Sequence, residues 1–276
     1  MQQKQEQQPD FEKQNWENDI KPEFLMRPSL ACLATCLGVC VAAKQPTAPK
    51  FPWWDPSLPV EQRVKSLITA MTLEEKVSQL GTDSPEIDRL AVPSYGWWSE
   101  ASHGVAYADL ATVFPASMGI GATFDEPRAA EAGAFIGLEG RSKHNVAMKA
   151  SNKSTTFHGL NFFAPNINIV RDVRWGRAQE TFGEDPHLTG KLGAAFIAGV
   201  QTGPASYQSY PHSRSSGDVV KGGAPKYMAL ATAKHFVAYN LDSDFAAGGH
   251  NAQYRLGADF AVSHADLLQT YMPAFR

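Results

Sequence analysis

The sequence predicts an α/β fold built on a parallel sheet. Two observations carry this. Apolar extended stretches alternate with helical patterns about four times along the chain, which is the signature of strand–helix units. The chain of 276 residues is 43% hydrophobic, enough to bury a barrel-sized core.

The elements follow in order. Residues 1–25 are polar and rich in Gln and charge, show no apolar period and read as a disordered extension, an artefact of an over-extended gene model. Met26-Arg27-Pro28-Ser29 then precedes an apolar run from Leu30 to Ala43 that closes on small residues. A positive start, a run too short to span a bilayer and a small-residue end describe a secretory signal peptide over 26–43. All three cysteines, Cys32, Cys36 and Cys40, lie in it, so a secreted product would rely on its core rather than on disulfides. Residues 44–51 read as a linker and 52–276 as the folded part, with one sequon at Asn152-Lys153-Ser154.

Within that part, Val60, Val64, Leu67, Ile68 and Met71 repeat at helical spacing. Thr72 and Glu75 form a capping box for the next turn. Stretches 92–98 and 111–124 are apolar and extended in character. Asp125 caps a helix with Pro127 in its first turn, running towards Met148. Leu160 to Val170 reads as a buried strand, and Asp185-Pro186 starts a helix through Leu188, Leu192, Phe196 and Val200. A loop rich in Ser, Gly and Pro over 203–225 separates it from a strand at 227–233. Ser263 and Asp266 cap a last helix through Tyr271.

Composition excludes several functions. Lys and Arg number 25 against 28 Asp and Glu, a net charge of -3 that leaves no basic footprint for nucleic acid. There is no phosphate-binding Walker loop, no His-Glu-x-x-His and no Cys-x-x-Cys. Gly119-Ile120-Gly121 does not continue into a dinucleotide fingerprint, and Gly-x-Ser-x-Gly is missing. No cofactor, metal or membrane partner is expected.

Four polar clusters follow apolar stretches, where parallel α/β folds gather their sites. Trp97-Trp98-Ser99-Glu100 sets two indoles beside a carboxylate, a pairing suited to a sugar, whose apolar faces pack on rings and whose hydroxyls donate to carboxylates. The run Arg171 to Pro186 carries many charges just after a buried strand. It reads equally as a lattice of Arg–carboxylate pairs that locks a loop or as ligand contacts. Lys234-His235 ends an apolar strand, where an unpaired buried ammonium would be costly. Neighbouring strand residues point to opposite faces, so both could face one pocket only if the backbone left β geometry. Asn240-Leu241-Asp242, with Asp244, could line the same mouth or be a plain loop.

These pieces, with Phe114-Pro115, Ala122-Thr123-Phe124-Asp125, Phe163-Ala164-Pro165-Asn166-Ile167-Asn168 and Asp266-Leu267 through Phe275, occur in an order and spacing that resembles the N-terminal barrel domain of glycoside hydrolase family 3, nearest its secreted β-xylosidase branch. The resemblance implies a TIM-type (β/α)8 barrel that is incomplete here, its last strands and later domains lying beyond residue 276. It implies retaining hydrolysis of terminal β-linked xylose from xylo-oligosaccharides, with an aspartate nucleophile and a glutamate acid. Both catalytic groups fall outside this chain, and Asp242, Asp244, Asp259 and Asp266 match neither motif. Glu100, Arg177, Lys234 and His235, with Trp98, fall on positions that bind the terminal sugar, and the Lys-His step on a strained peptide. Glu at position 100 implies xylose over glucose, because a longer carboxylate leaves less room for a hydroxymethyl group. Val173 and Ser102 depart from the branch, which usually has Pro and Leu there. β-Glucosidase, α-L-arabinofuranosidase and a non-catalytic sugar-binding or decoy protein are the alternatives.

Overall fold

A computed structural model describes residues 51–173, 175–204, 227–239 and 261–276. The expected signal peptide, its cysteines, the 203–225 loop beyond Pro204 and the Asn240–Asp244 cluster lie outside these.

Local chemistry sets the helices. α1 (Val60–Ala70) is followed by α2 (Leu73–Ser78), where Thr72 Oγ1 accepts from the Glu75 amide at 3.2 Å and Glu75 accepts in return from the Thr72 amide at 2.8 Å. A short antiparallel pair, β1 (Asp83–Ser84) with β2 (Tyr95–Gly96), comes next. Trp53, Ile87 and Leu90 form a small core beside Leu67 and Met71, and the Trp53 indole donates to the Leu90 carbonyl at 3.0 Å. α3 (Ser117–Gly121) precedes α4 (Glu126–Ser151), whose first turn is held by Asp125 accepting from the Arg128 amide at 3.0 Å with Pro127 just inside. β3 (Asn161–Phe162) follows, and α5 (Pro186–Thr202) is capped by Asp185 accepting from the His187 and Leu188 amides. β4 (Leu230–Ala231) precedes α6 (His264–Asp266), which runs on into a π-helical turn at Leu267–Tyr271.

The sheet is a narrow parallel strip. Ser99 bridges Phe162 in parallel, and β3 pairs with β4 in parallel, Phe162 opposite Ala231. The ladder bonds alternate as parallel strands require, Phe163 N to Ser99 O and Thr232 N to Phe162 O, both 2.8 Å. A further parallel bridge joins Asn166 to Lys234. Two expectations need correction. The apolar stretch 111–124 is not extended, because its second half coils into α3; Gly121 lies so close to Phe182 that an added Cβ would sit 1.9 Å from that carbonyl oxygen. The stretch 160–170 is buried but is a strand over two residues only, since Pro165 has no N–H for the ladder.

α4 and α5 cover one face of the strip. Their backbones nearly touch through glycine: a Cβ on Gly137 would lie 2.3 Å from the Val200 carbonyl oxygen, and one on Gly199 2.1 Å from that of Ala130. Under them lie Ile136, Phe162, Ile167, Leu192, Phe196 and Val200, all buried. The C-terminal ends of the strip therefore emerge together on the side away from the segments that start it.

Candidate functional site

Glu100, which follows Ser99, and Lys234, past the end of β4, meet there. Lys234 Nζ donates to Glu100 Oε2 at 2.9 Å, with side chains 13% and 20% exposed. The other carboxylate oxygen, Oε1, accepts from the Trp98 indole N–H at 3.0 Å. A charge pair this shielded from water is held by more than Coulomb attraction, because each polar atom needs a partner once desolvated.

The second charge pair comes from the long charged run. A single 3-10 turn at Ala178–Glu180 brings Glu180 back onto Arg177. The guanidinium donates through Nε and Nη2 to the two Glu180 oxygens at 2.6 and 2.7 Å, a bidentate fork. Nη1 reaches the Tyr239 hydroxyl at 3.5 Å, and the guanidinium carbon lies 5.6 Å from the Tyr239 ring centre. Burial pushes the Glu180 carboxyl up, but the Arg177 fork, the Arg177 and Lys234 charges and the neighbouring Asn166 amide outweigh it. The group ends below its ordinary value of 4.5. Asn166 is fully buried; its Oδ1 accepts from the Asn168 amide at 3.0 Å, while Nδ2 closes no regular hydrogen bond.

Trp98, Glu100, Arg177, Glu180 and Lys234 line one open cleft of about 700 Å³. That volume lies within the usual range for small-molecule sites. Two of the expected residues sit elsewhere. His235 does not line the cleft: its ring packs against Tyr239 at 4.8 Å, and its amide donates to Asn168 Oδ1 at 2.8 Å. The Lys234–His235 peptide is cis, and the two side chains have different surroundings. Trp97 is likewise off the cleft, its indole donating to Ser84 Oγ at 2.8 Å, so the expected indole pair is divided. Arg174 and Asp242 lie outside the described residues.

Sequence reasoning did not single out Glu180, Asn166 or Tyr239. Asn166 and Asn168 alternate with Ile167 and Ile169 in a buried stretch, and polar residues at such positions signal a built polar network. For Tyr239 there was no signal. Among the described residues no group of three or more His, Cys, Asp or Glu could hold a metal ion, and no helix is long and apolar enough to cross a membrane.

Comparison with known proteins adds to this geometry. The sequence model of the glycosyl hydrolase family 3 N terminal domain matches residues 63–268. Over 243 residues the chain is 38% identical to "Probable beta-D-xylosidase 7" of Arabidopsis thaliana, covering 84% of this chain and 28% of that protein. It is 34% identical to "Beta-xylosidase/alpha-L-arabinofuranosidase 1" of Medicago sativa subsp. varia, covering 86% and 28%. A solved GH3 exo-beta-xylosidase (XlnD), in complex with a xylobiose aziridine activity based probe, superposes with a TM-score of 0.63 at 28% identity, over 81% of this chain and 26% of that one. The chain thus spans a little over a quarter of the length of the relatives it matches.

Proposed function

The chain belongs to glycosyl hydrolase family 3, matching its N-terminal domain over residues 63–268, and on that footing we propose that its cleft is the terminal-sugar subsite of a retaining β-xylosidase. One observation carries the reading: the Lys234–Glu100 pair, braced by Trp98, shares a cleft with the Arg177 fork. Two cations and two carboxylates at the strand ends offer directed donors and acceptors to adjacent hydroxyls, with an indole for the apolar face of the ring. Glu100 accepts from sugar hydroxyls, and Lys234 and Arg177 donate to them. His235 acts from behind, setting the Asn168 and Tyr239 frame rather than touching sugar.

Retaining hydrolysis needs a nucleophile and an acid about 5–5.5 Å apart, the first attacking the anomeric carbon and the second protonating the leaving oxygen. Glu100 and Glu180 are committed to cations and indole N–H and fill neither role. In this reading the cleft grips the terminal sugar, and neither Glu100 nor Glu180 supplies the nucleophile or the acid. The chain therefore binds xylose without cleaving an aryl β-xyloside. Turnover of p-nitrophenyl β-xyloside by the purified chain, or loss of no xylose affinity in Lys234→Met, would refute this.

A second reading has its own support: the Medicago relative carries both xylosidase and arabinofuranosidase in its name. Competition of xylose and arabinose for the cleft separates the two: a xylose-selective site is occupied far better by xylose, and an arabinofuranosidase site at least as well by arabinose. We also read the protein as secreted, on the apolar run 30–43 with its small-residue end. N-terminal sequencing of protein recovered from the medium, with a start near Lys44, is the supporting result.

A further inference from the structure

The one sequon of the chain, Asn152-Lys153-Ser154, plays no part in the cleft. It begins where α4 ends. Asn152 holds the left-handed backbone that stops the helix, with φ of 55°, and its backbone N–H donates to the Met148 carbonyl at 2.8 Å. Asparagine tolerates that conformation better than most residues, so the backbone gives this residue type one structural use. The side chain has none. Asn152 is exposed, and its side-chain amide closes no hydrogen bond with any described residue.

The next two residues tie the segment to the β1–β2 hairpin. The Lys153 ammonium pairs with Glu86 at 2.5 Å. Ser154 is 1% exposed; its amide donates to Ser94 O at 3.2 Å, and its carbonyl accepts from the Gly96 amide at 3.1 Å. Gly96 permits this approach, since a Cβ there would lie 2.4 Å from the Thr155 carbonyl carbon. Ser154 Oγ, however, is buried with no hydrogen-bond partner among the described residues. A buried hydroxyl without a partner costs stability, and alanine would occupy the same place without that cost. The fold therefore uses the backbones of Asn152 and Ser154 and leaves both polar side chains idle. Those two side chains are the pair that N-glycosylation reads, the amide nitrogen as the atom that takes the sugar and the hydroxyl two residues on as the required second element.

We propose that Asn152 carries an N-linked oligosaccharide. This rests on the reading of the protein as secreted, because the donor is a lipid-linked oligosaccharyl diphosphate of the secretory compartment, acted on by the transferase there. In the step, Asn152 Nδ2 forms a bond to C1 of the oligosaccharide. The bond from C1 to the phosphate oxygen breaks, the lipid diphosphate leaves with its electron pair, and the amide proton passes to base. Burial of Ser154 places the step before this segment docks on Ser94 and Gly96, while the chain is being made. In the folded protein the oligosaccharide projects from the last turn of α4 beside the exposed Ala150 and Ser151, and no residue of the sequon lines the cleft.

Secretory expression of the 276-residue chain in yeast tests it, with intact mass measured on medium and cell fractions before and after peptide N-glycosidase F. One glycan's mass should be lost, and the peptide map should show the Asn152→Asp conversion that the enzyme leaves behind. Ser154→Ala and Asn152→Gly should each abolish the modification. Both should melt within about 3 °C of enzymatically deglycosylated wild type, because the first removes an idle hydroxyl and the second suits left-handed backbone. Wild type that has lost residues 26–43 and carries no glycan overturns this inference alone, as does a glycan that survives Ser154→Ala. Wild type that retains residues 26–43 and carries no glycan sinks the secretion reading as well.

Discussion

Replacing Glu180 by Gln should loosen the cleft. The wild-type carboxylate accepts two charge-assisted bonds from Arg177 at 2.6 and 2.7 Å, with both side chains about a quarter exposed. Bonds of that kind contribute about 1.5–3 kcal/mol each when buried, and water at a quarter-exposed pair takes back part of it. Gln keeps one oxygen as acceptor, so the net loss should be about 2 kcal/mol. With a urea m-value of about 3 kcal/mol/M, the midpoint should fall by roughly 0.7 M at neutral pH. The same substitution weakens the hold on the Arg177 guanidinium, and xylose affinity should fall roughly fivefold. The pH dependence has a defined sign. Although burial raises it, the Arg177 bonds and charge keep the folded Glu180 pKa below its ordinary 4.5. Its stabilisation is then fully present above the unfolded value and is lost as pH falls through the folded one. Wild type and Glu180→Gln should therefore differ most near pH 7 and converge in acid. Equal midpoints at pH 7, or a gap that widens on acidification, would refute the assignment of Glu180 as the anchor of Arg177.

Three further substitutions test other links. Lys234→Met leaves the Glu100 carboxylate with the Trp98 indole as its remaining described partner, and should lower stability by about 2–3 kcal/mol in urea while abolishing xylose binding. Gly137→Ala should destabilise by about 1–3 kcal/mol in thermal melts, although it favours the isolated helix, because the new Cβ meets the Val200 carbonyl at 2.3 Å. Asp125→Ala removes the acceptor for the Arg128 amide and should cost about 1 kcal/mol; Asp125→Asn should restore most of it.

How much of this could be read from sequence depends on the range of the interaction. The caps at Thr72, Asp125 and Asp185 are chemistry among residues at most three apart, and each starts its helix as its spacing implies. The misread stretch 111–124 has no such local mark. Its apolar run fits a strand or a buried helix alike, and the decision falls to Gly121, which permits contact with Phe182 some sixty positions on. In the same way, Leu160 to Val170 was legible as buried but not as mostly non-ladder, because Pro165 withholds a donor in the middle of an otherwise strand-like run. What places α4 on α5 is small side chains at Gly133, Gly137 and Gly199. The sequence shows these as helix-weakening glycines, and only the neighbouring helix shows why they are there.

The site repeats the lesson with charges. The crowded run from Arg171 to Pro186 allowed either a self-contained lattice or ligand contacts; Arg177 is part of a lattice, two of its nitrogens tied to Glu180, and it also lines the cleft. A guanidinium held this way keeps its direction without a ligand, so less ordering remains to be done when one arrives. Lys234 follows the same logic through Glu100, at a separation of 134 positions that no local pattern reveals. The alternation rule allows Lys234 and His235 to share one pocket only where the backbone leaves β geometry, and it does leave it at their cis peptide. Here the lysine takes the cleft and the histidine is packed against Asn168 and Tyr239. Each cation is thus aimed by a carboxylate rather than by its own flexible stem, and the carboxylates are aimed in turn by an indole and by a 3-10 turn. The strip of parallel strands contributes position, and the ion pairs contribute direction; a sugar needs both, because its hydroxyls differ from those of its epimers in direction alone.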